Sequence, residues 1–256
     1  KYHDNYMFLG QLSYSRENFY KSKMIYGFGR TEDIPVGDLY SFIFGWEADQ
    51  FFKRWYAGTT IRHGHFFNNF GYLSSSLDFG GFIYEDNFEQ GAINLQAKYI
   101  SKLFTVDGLQ MRQFFDLHYQ RGIKRFREER LEFDQFEDIR GYNNPSLYGK
   151  KKLVLRSETV GFSPLFYYGF RFAFFGFFDC GFVSRANNFI LNNPIQTGFG
   201  IGMRMRNENL VFKTFQIRIG FYPSLSNGDN FLFYISGEKS LQPHRYTPGK
   251  PAKVEY

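Results

Sequence analysis

Ile139-Arg140-Gly141-Tyr142, then Leu153-Val154-Leu155-Arg156-Ser157-Glu158, then Phe177-Phe178-Asp179-Cys180-Gly181: the reading of these three runs decides the fold. A basic, aromatic-tipped loop precedes two strand-like runs that carry a carboxylate each. At period two, Arg156 and Glu158 share one face of the first run, and Asp179 shares a face of the second with Arg171. The opposite face of the second run is Phe170, Phe172, Phe174, Phe178 and Phe182. One face asks for hydrocarbon while the other holds charge. That is the alternation of a membrane-spanning strand in a closed barrel.

The balance holds across the chain. Of 256 residues, 22% are aromatic, with 35 Phe and 19 Tyr, yet mean hydropathy is −0.41. No run approaches the ~18 consecutive apolar residues of a membrane helix. A chain rich in aromatics but not hydrophobic on average fits a transmembrane β-barrel, where the two faces cancel in any window. A soluble all-β sandwich is the alternative. The net charge of +6 comes from Lys and Arg scattered at alternate strand positions and in loops, so nucleic acid is not an expected partner. A basic lumen or contact with acidic lipid head groups explains it better. The single Cys180 excludes an intramolecular disulfide and a cysteine-rich zinc site, and is expected to face lipid as a small apolar filler. A chain that opens at Lys1, with neither Met nor a signal peptide, is expected to be processed, trimmed or truncated.

Period-two alternation marks about twelve strand-like runs and no helix. They cover residues 6–16, 19–29, 39–47, 54–63, 70–84, 92–102, 110–120, 152–162, 166–183, 197–206, 211–222 and 230–238. Residues 30–37, polar and bearing Pro35, read as a tight connection. Residues 121–150 form the longest irregular stretch, and loops of that length are usually functional. An even strand count would place both barrel ends on one side, with the loops 121–150, 184–196 and 223–229 on the other, external side. The connections 29–37, 163–165 and 207–210 would then lie inside. Residues 1–240 are read as one barrel domain and 241–256 as a tail that cannot extend a ladder, because it carries prolines from Pro243 to Pro251.

Ile-Arg-Gly-Tyr, late in a long external loop and five strands before the end, resembles the barrel-plugging sixth-loop motif of the BamA/TamA superfamily, also called the bacterial surface antigen family. The Arg-Ser-Glu158 and Phe-Asp179-x-Gly181 strands look like the two that receive that loop. The resemblance covers about residues 135–222 and implies an arginine reaching the acid of the Asp-x-Gly strand. Carried over, Arg140 pairs with Asp179, with Glu158 nearby and Tyr142 packed beside Gly141. A bidentate arginine–carboxylate contact in a confined lumen can pin a loop. Family barrels of this type have more strands before the loop than the seven runs found here, and this chain shows none of the periplasmic polypeptide-transport-associated repeats. A short branch without those repeats is the most similar in size.

Enzyme constellations are weak. His63, His65 and Asp78 resemble the carboxylate–histidine sets of rim hydrolases, but the histidines fall near an inner turn and lack a serine motif. His118 and Asp116 share a lumenal face and read as lining; the acids of 30–37 match no metal spacing. No catalytic residue, metal or cofactor is expected. The expectation is therefore a closed antiparallel transmembrane β-barrel of about twelve strands in the bacterial outer membrane, its long external loop folded into the lumen. The resemblance implies assistance to insertion or translocation of polypeptide or lipid. The expected loop-anchoring residues are Arg140, Gly141, Tyr142, Glu158, Asp179 and Gly181. Expected partners are outer-membrane lipids and lipopolysaccharide, client outer-membrane proteins and a second copy of the chain. A passive pore or structural barrel, or the anchor of an enzyme domain lying before residue 1, are the competing readings.

Overall fold

A computed structural model describes residues 5–25, 27–29, 31–48, 52–126, 128–135, 137–185, 188–207, 214–225, 230–237 and 243–256. Among them, one antiparallel sheet of twelve strands organises the molecule. Its strands are β1 (Tyr6–Lys23), β2 (Thr31–Ala48), β3 (Lys53–Phe67), β4 (Gly71–Tyr84), β5 (Asn87–Ser101), β6 (Phe104–Val106), β7 (Leu109–Ile123), then, after the long loop, five more. The long loop holds a separate two-residue ribbon of β8 (Leu131–Glu132) and β9 (Tyr148–Gly149). Beyond it come β10 (Lys151–Tyr167), β11 (Phe170–Ser184), β12 (Gln196–Asn207), β13 (Phe215–Phe221) and β14 (Phe231–Gly237). Each long strand pairs with the next in sequence, and the short β6 completes the pairing that β5 begins with β7. No ladder joins β1 to β14 among the described residues.

The alternation read from the sequence sets the two faces. On β3, Trp55 is 66% exposed and Tyr56 3%. Phe8, Phe42, Phe44, Phe174, Ile201 and Phe233 stand exposed on the convex face, while Glu47, Arg54, Arg112, Glu158, Asp179 and Arg204 are buried on the concave one. This inverts the ordinary distribution, in which charged groups are the exposed class. Contiguous exposed apolar surface of this extent marks an interaction with something other than water.

The path through eleven long strands corrects the expected arrangement. The run expected at 6–16 and the first part of that at 19–29 are one strand, β1, which ends at Lys23, and residues 31–37 of the expected connection begin β2, with Lys23 opposite Thr31. Pro35 is tolerated there because residues 31–36 pair only with β1, so one edge of that stretch is free. Gly37, at φ +150°, sits where the hairpin passes the end of the β2–β3 pairing. Residues 163–165 are likewise not a connection but lie inside β10, where the register shifts between Phe162 and Phe166; the turn is Tyr168-Gly169, and β11 starts at Phe170 rather than 166. Six long strands precede the loop, not seven, and an odd total sends the two sheet ends to opposite sides: β1 starts at the long-loop end and β14 finishes at the other. The loops after β11 and β13 do share the long-loop end, as expected. Residues 208–213, which include most of the expected 207–210 connection and the start of the expected 211–222 run, lie outside the described residues, as does Glu238.

Three segments fill the concave side. The tip of the β1–β2 hairpin turns inward and buries Ile25, Phe28 and Ile34 against Tyr72, Phe114 and Phe162. Arg112 of β7 holds it, donating from Nε to the Met24 carbonyl (2.8 Å) and from Nη2 to the Lys23 carbonyl (2.6 Å) and Ser22 Oγ (2.9 Å). The long loop packs on β10–β14. Residues 243–256, the described part of the expected tail 241–256, join no ladder and lie along the inner wall of β1–β7, where Tyr246 is fully buried.

Candidate functional site

The long loop brings Arg140 to the centre of the β10–β11 wall. A helix-like turn places it there: the Asp138 amide donates to the Asp134 carbonyl at 3.0 Å, and the Gly141 amide to that of Gln135 at 2.8 Å. Gly141 adopts φ +84°, the left-handed region in which a side chain is strained, and an added Cβ would stand 2.6 Å from the Tyr222 hydroxyl. Ile139 needs space too. Gly181 and Gly198 provide it, since a Cβ on either would crowd Ile139, at 3.1 and 3.2 Å.

The Arg140 guanidinium makes a two-pronged contact with Asp179, Nε to Oδ2 at 2.8 Å and Nη2 to Oδ1 at 2.6 Å, and the Arg140 amide adds a third donor at 3.1 Å. Nη1 donates to Glu158 Oε2, and Nη2 also reaches the Ser157 carbonyl at 3.2 Å. The guanidinium lies 4.5 Å from the centre of the Phe177 ring. Asp179 is fully buried and Glu158 5% exposed. Burial alone would favour neutral arginine, but the charges and hydrogen bonds of Asp179 and Glu158 outweigh it and raise the Arg140 pKa. The cation is permanent.

All six expected anchoring residues meet here. Arg140, Glu158 and Asp179 form the ion cluster, Gly141 makes the turn, and Gly181 opens the seat for Ile139 and Phe133. Tyr142 packs edge-on against Phe133 (87° between rings) and donates to Gln196 Oε1 at 2.7 Å. The sequence reading missed several partners. Arg204 of β12 holds the second Glu158 oxygen at 2.8 Å, so the cluster balances two arginines against two carboxylates before Arg156 is counted. Its signal was present as a basic residue on the inward face of a glycine-rich strand. Tyr222 donates to the Arg140 carbonyl, and burial pushes its phenol up to about 12, which keeps the proton in place. Lys152 reaches Asp138 at 2.6 Å, and His118 Nδ1 stands 3.8 Å from the other Asp138 oxygen. Burial opposes ionisation of Asp138, yet the neighbouring His118 and the Lys152 charge hold it below the usual carboxylate range.

The enzyme-like residues do not assemble. His63 Nδ1 lies 2.6 Å from Asp38, exposed, on the convex face at the end away from the long loop. Asp78 accepts from Thr60 at 2.6 Å on the other face. Among the described residues, no group of three His, Cys, Asp or Glu side chains could hold a metal ion. No protein-family model matches the sequence, and no curated protein matches it.

Proposed function

We propose that the chain forms the wall of a bacterial outer-membrane β-barrel of the BamA/TamA type and assists insertion or translocation of polypeptide or lipid at that membrane. The observation that carries this reading is the five-bond anchoring of Arg140 to the two strands after the loop. It joins a family-like loop motif to its receiving strands by a contact that side-chain chemistry alone explains. The convex apolar belt supports the membrane setting, because lipid tails can solvate Phe, Leu and Ile where water cannot. With lipid on the convex side, the buried concave charges become the lining of an interior, and closure of the sheet around it follows as part of the proposal.

A passive open pore fits less well, since three inward-packed segments occupy that interior. The test is reconstitution in liposomes of outer-membrane lipid, comparing wild type with Arg140→Ala for the insertion rate of an unfolded client barrel and for ion conductance. Wild type is expected to accelerate insertion severalfold over empty liposomes, and the variant to lose that acceleration while conducting more. Conductance without any acceleration by wild type would make the barrel a pore.

A further inference from the structure

The inner wall of β1–β7 has an occupant of its own, held without the buried ion cluster of the long loop. Residues 243–256 run along it without helix or strand and bend at Thr247. Tyr246 sits by Gly64 and Tyr72, Val254 by Tyr56 and Gly80, and Tyr256 by Gly122 with Arg125 4.5 Å from its ring centre. The segment joins no ladder. Instead, five wall side chains bond its main chain: Glu17 accepts the Tyr246 amide (2.7 Å), Ser15 donates to the Tyr246 carbonyl (2.5 Å), Arg62 to the Arg245 carbonyl (3.3 Å) and Asn94 to the Glu255 carbonyl (2.9 Å), and the Tyr56 hydroxyl accepts the Val254 amide (2.7 Å). Every polypeptide carries those amides and carbonyls. A wall that reads them reads extended chain, with little regard to sequence.

Two further features shape the seat, the first by adding room for a side chain at three positions. Glycines at 64, 80 and 122 form hollows that take the Tyr246, Val254 and Tyr256 side chains; a Cβ at Gly64 would overlap the Tyr246 hydroxyl, and one at Gly122 the Tyr256 ring. The fit is also incomplete. A space of about 470 Å³ remains between segment and wall, edged by Gln11, Thr60, Arg62, Asp78 and Asn94. Gln11 Oε1, Arg62 Nε and Asn94 Oδ1 are buried there without a protein partner among the described residues. The seat therefore has room beyond what the segment fills.

We propose that the concave face of β1–β7 is a main-chain-reading groove for an extended client polypeptide, and that residues 243–256 are its displaceable occupant in cis. The inference deepens the proposed function and rests on it, naming extended polypeptide rather than lipid as what enters. A tethered occupant acts at about millimolar effective concentration, so it excludes stray peptides and yields to a client delivered at the mouth.

The test keeps the folded chain intact. A specific protease site is inserted between residues 240 and 241, the protein is folded in detergent, and the site is then cut so that the segment becomes a separate peptide. A fluorescent peptide of the sequence 243–256 should exchange into the cut protein and not into the uncut one. An unlabelled peptide of reversed sequence should compete within about tenfold of the native sequence. Glu17→Gln and Tyr56→Phe should weaken both peptides alike, by about threefold to tenfold each. No exchange after cutting, or competition by the native sequence alone, overturns the groove and leaves a structural strap. Because this readout needs neither membrane nor client insertion, peptide exchange with no insertase activity in liposomes would sink the proposed function and spare the groove. Insertase activity without exchange would do the reverse.

Discussion

The two halves of the inner wall differ in the charge they use to hold their occupants. On β10–β14 the long loop is fixed by a buried ion cluster, an arginine on two carboxylates with a second arginine behind them, and by an isoleucine seated over two glycines, with Tyr222, Lys152 and Arg156 bonding its main-chain carbonyls. On β1–β7 the segment 243–256 is fixed mainly by side chain to main chain, through three neutral groups, one carboxylate and one arginine that form no ion pair with it, with space left over. The first arrangement is a lock for one sequence. The second accepts many. A buried ion cluster tolerates no substitute partner, because any unmatched charge stays buried, whereas a main-chain contact survives a change of side chain.

The sharpest way to break the contrast is Arg140→Ala. It strands Asp179, which is fully buried, and removes one of the two arginines of Glu158. Removal of one partner from a buried pair costs about 3–5 kcal/mol, and loop docking is expected to lose most of that. Limited trypsin digestion should then cut within 121–150, while 243–256 keeps its wild-type protection. Arg140→Lys should recover little, since an ammonium cannot make the two-pronged contact. Equal protection of the loop in wild type and variant would mean that the apolar seat of Phe133, Ile139 and Tyr142 holds it alone.

Gly64→Ala attacks the other half. The new methyl overlaps the Tyr246 hydroxyl, and overpacking of this kind costs about 1–3 kcal/mol. The segment is expected to loosen while the loop stays docked, read by hydrogen exchange of the two stretches in one sample. Because the sites share no partner, the effects of Arg140→Ala and Gly64→Ala should add within about 0.5 kcal/mol.

The contrast also explains what the sequence could disclose. Strand faces were legible, since Trp55/Tyr56 or Phe178/Asp179 alternation survives any context. The clamp was legible in its charged residues, because arginine and acid must meet if buried. Arg204 and Tyr222 escaped because a partner reached across strands leaves no local spacing. Residues 30–37 misled because Pro35 and Gly37 usually signal a turn; only the pairing shows that β2 has a free edge there. The segment 243–256 was opaque for a different reason. Its contacts run through amides and carbonyls, which every residue has, so nothing in its composition separates a docked strap from a loose tail.

Acid separates the halves without mutation. His244 donates from Nε2 to Gln96 (2.9 Å) and faces Ser74 (3.5 Å), and burial together with the Lys98 and Arg62 charges lowers it to about 3. A histidine depressed in the docked state binds its proton only when released. Docking is therefore at full strength above about pH 6.5 and weakens as pH falls from there toward 3, by about 1.4 kcal/mol per pH unit at most. Asp138, by contrast, is held below the carboxylate range and stays ionised at pH 5. Hydrogen exchange at pH 5 against pH 7, corrected for the intrinsic rate, should show 243–256 opening and 131–142 unchanged. Opening of both together would mean one coupled interior and not two independent seats.

The smallest expected effect tests how far the lock depends on its neutral parts. Tyr142→Phe keeps the ring against Phe133 and deletes one hydrogen bond to Gln196. A neutral hydrogen bond contributes about 0.5–1.5 kcal/mol net, with the upper half expected because Gln196 is itself buried. The loop should remain docked with a Tm lower by a few degrees, and trypsin should still spare it. If Tyr142→Phe released the loop as fully as Arg140→Ala, the ion cluster would be dispensable ballast, and the tyrosine would be the lock. If it left even the Tm untouched, the specificity of this half would reside in Arg140 and its carboxylates, which is what four bonds from one guanidinium and a fifth from its own amide imply.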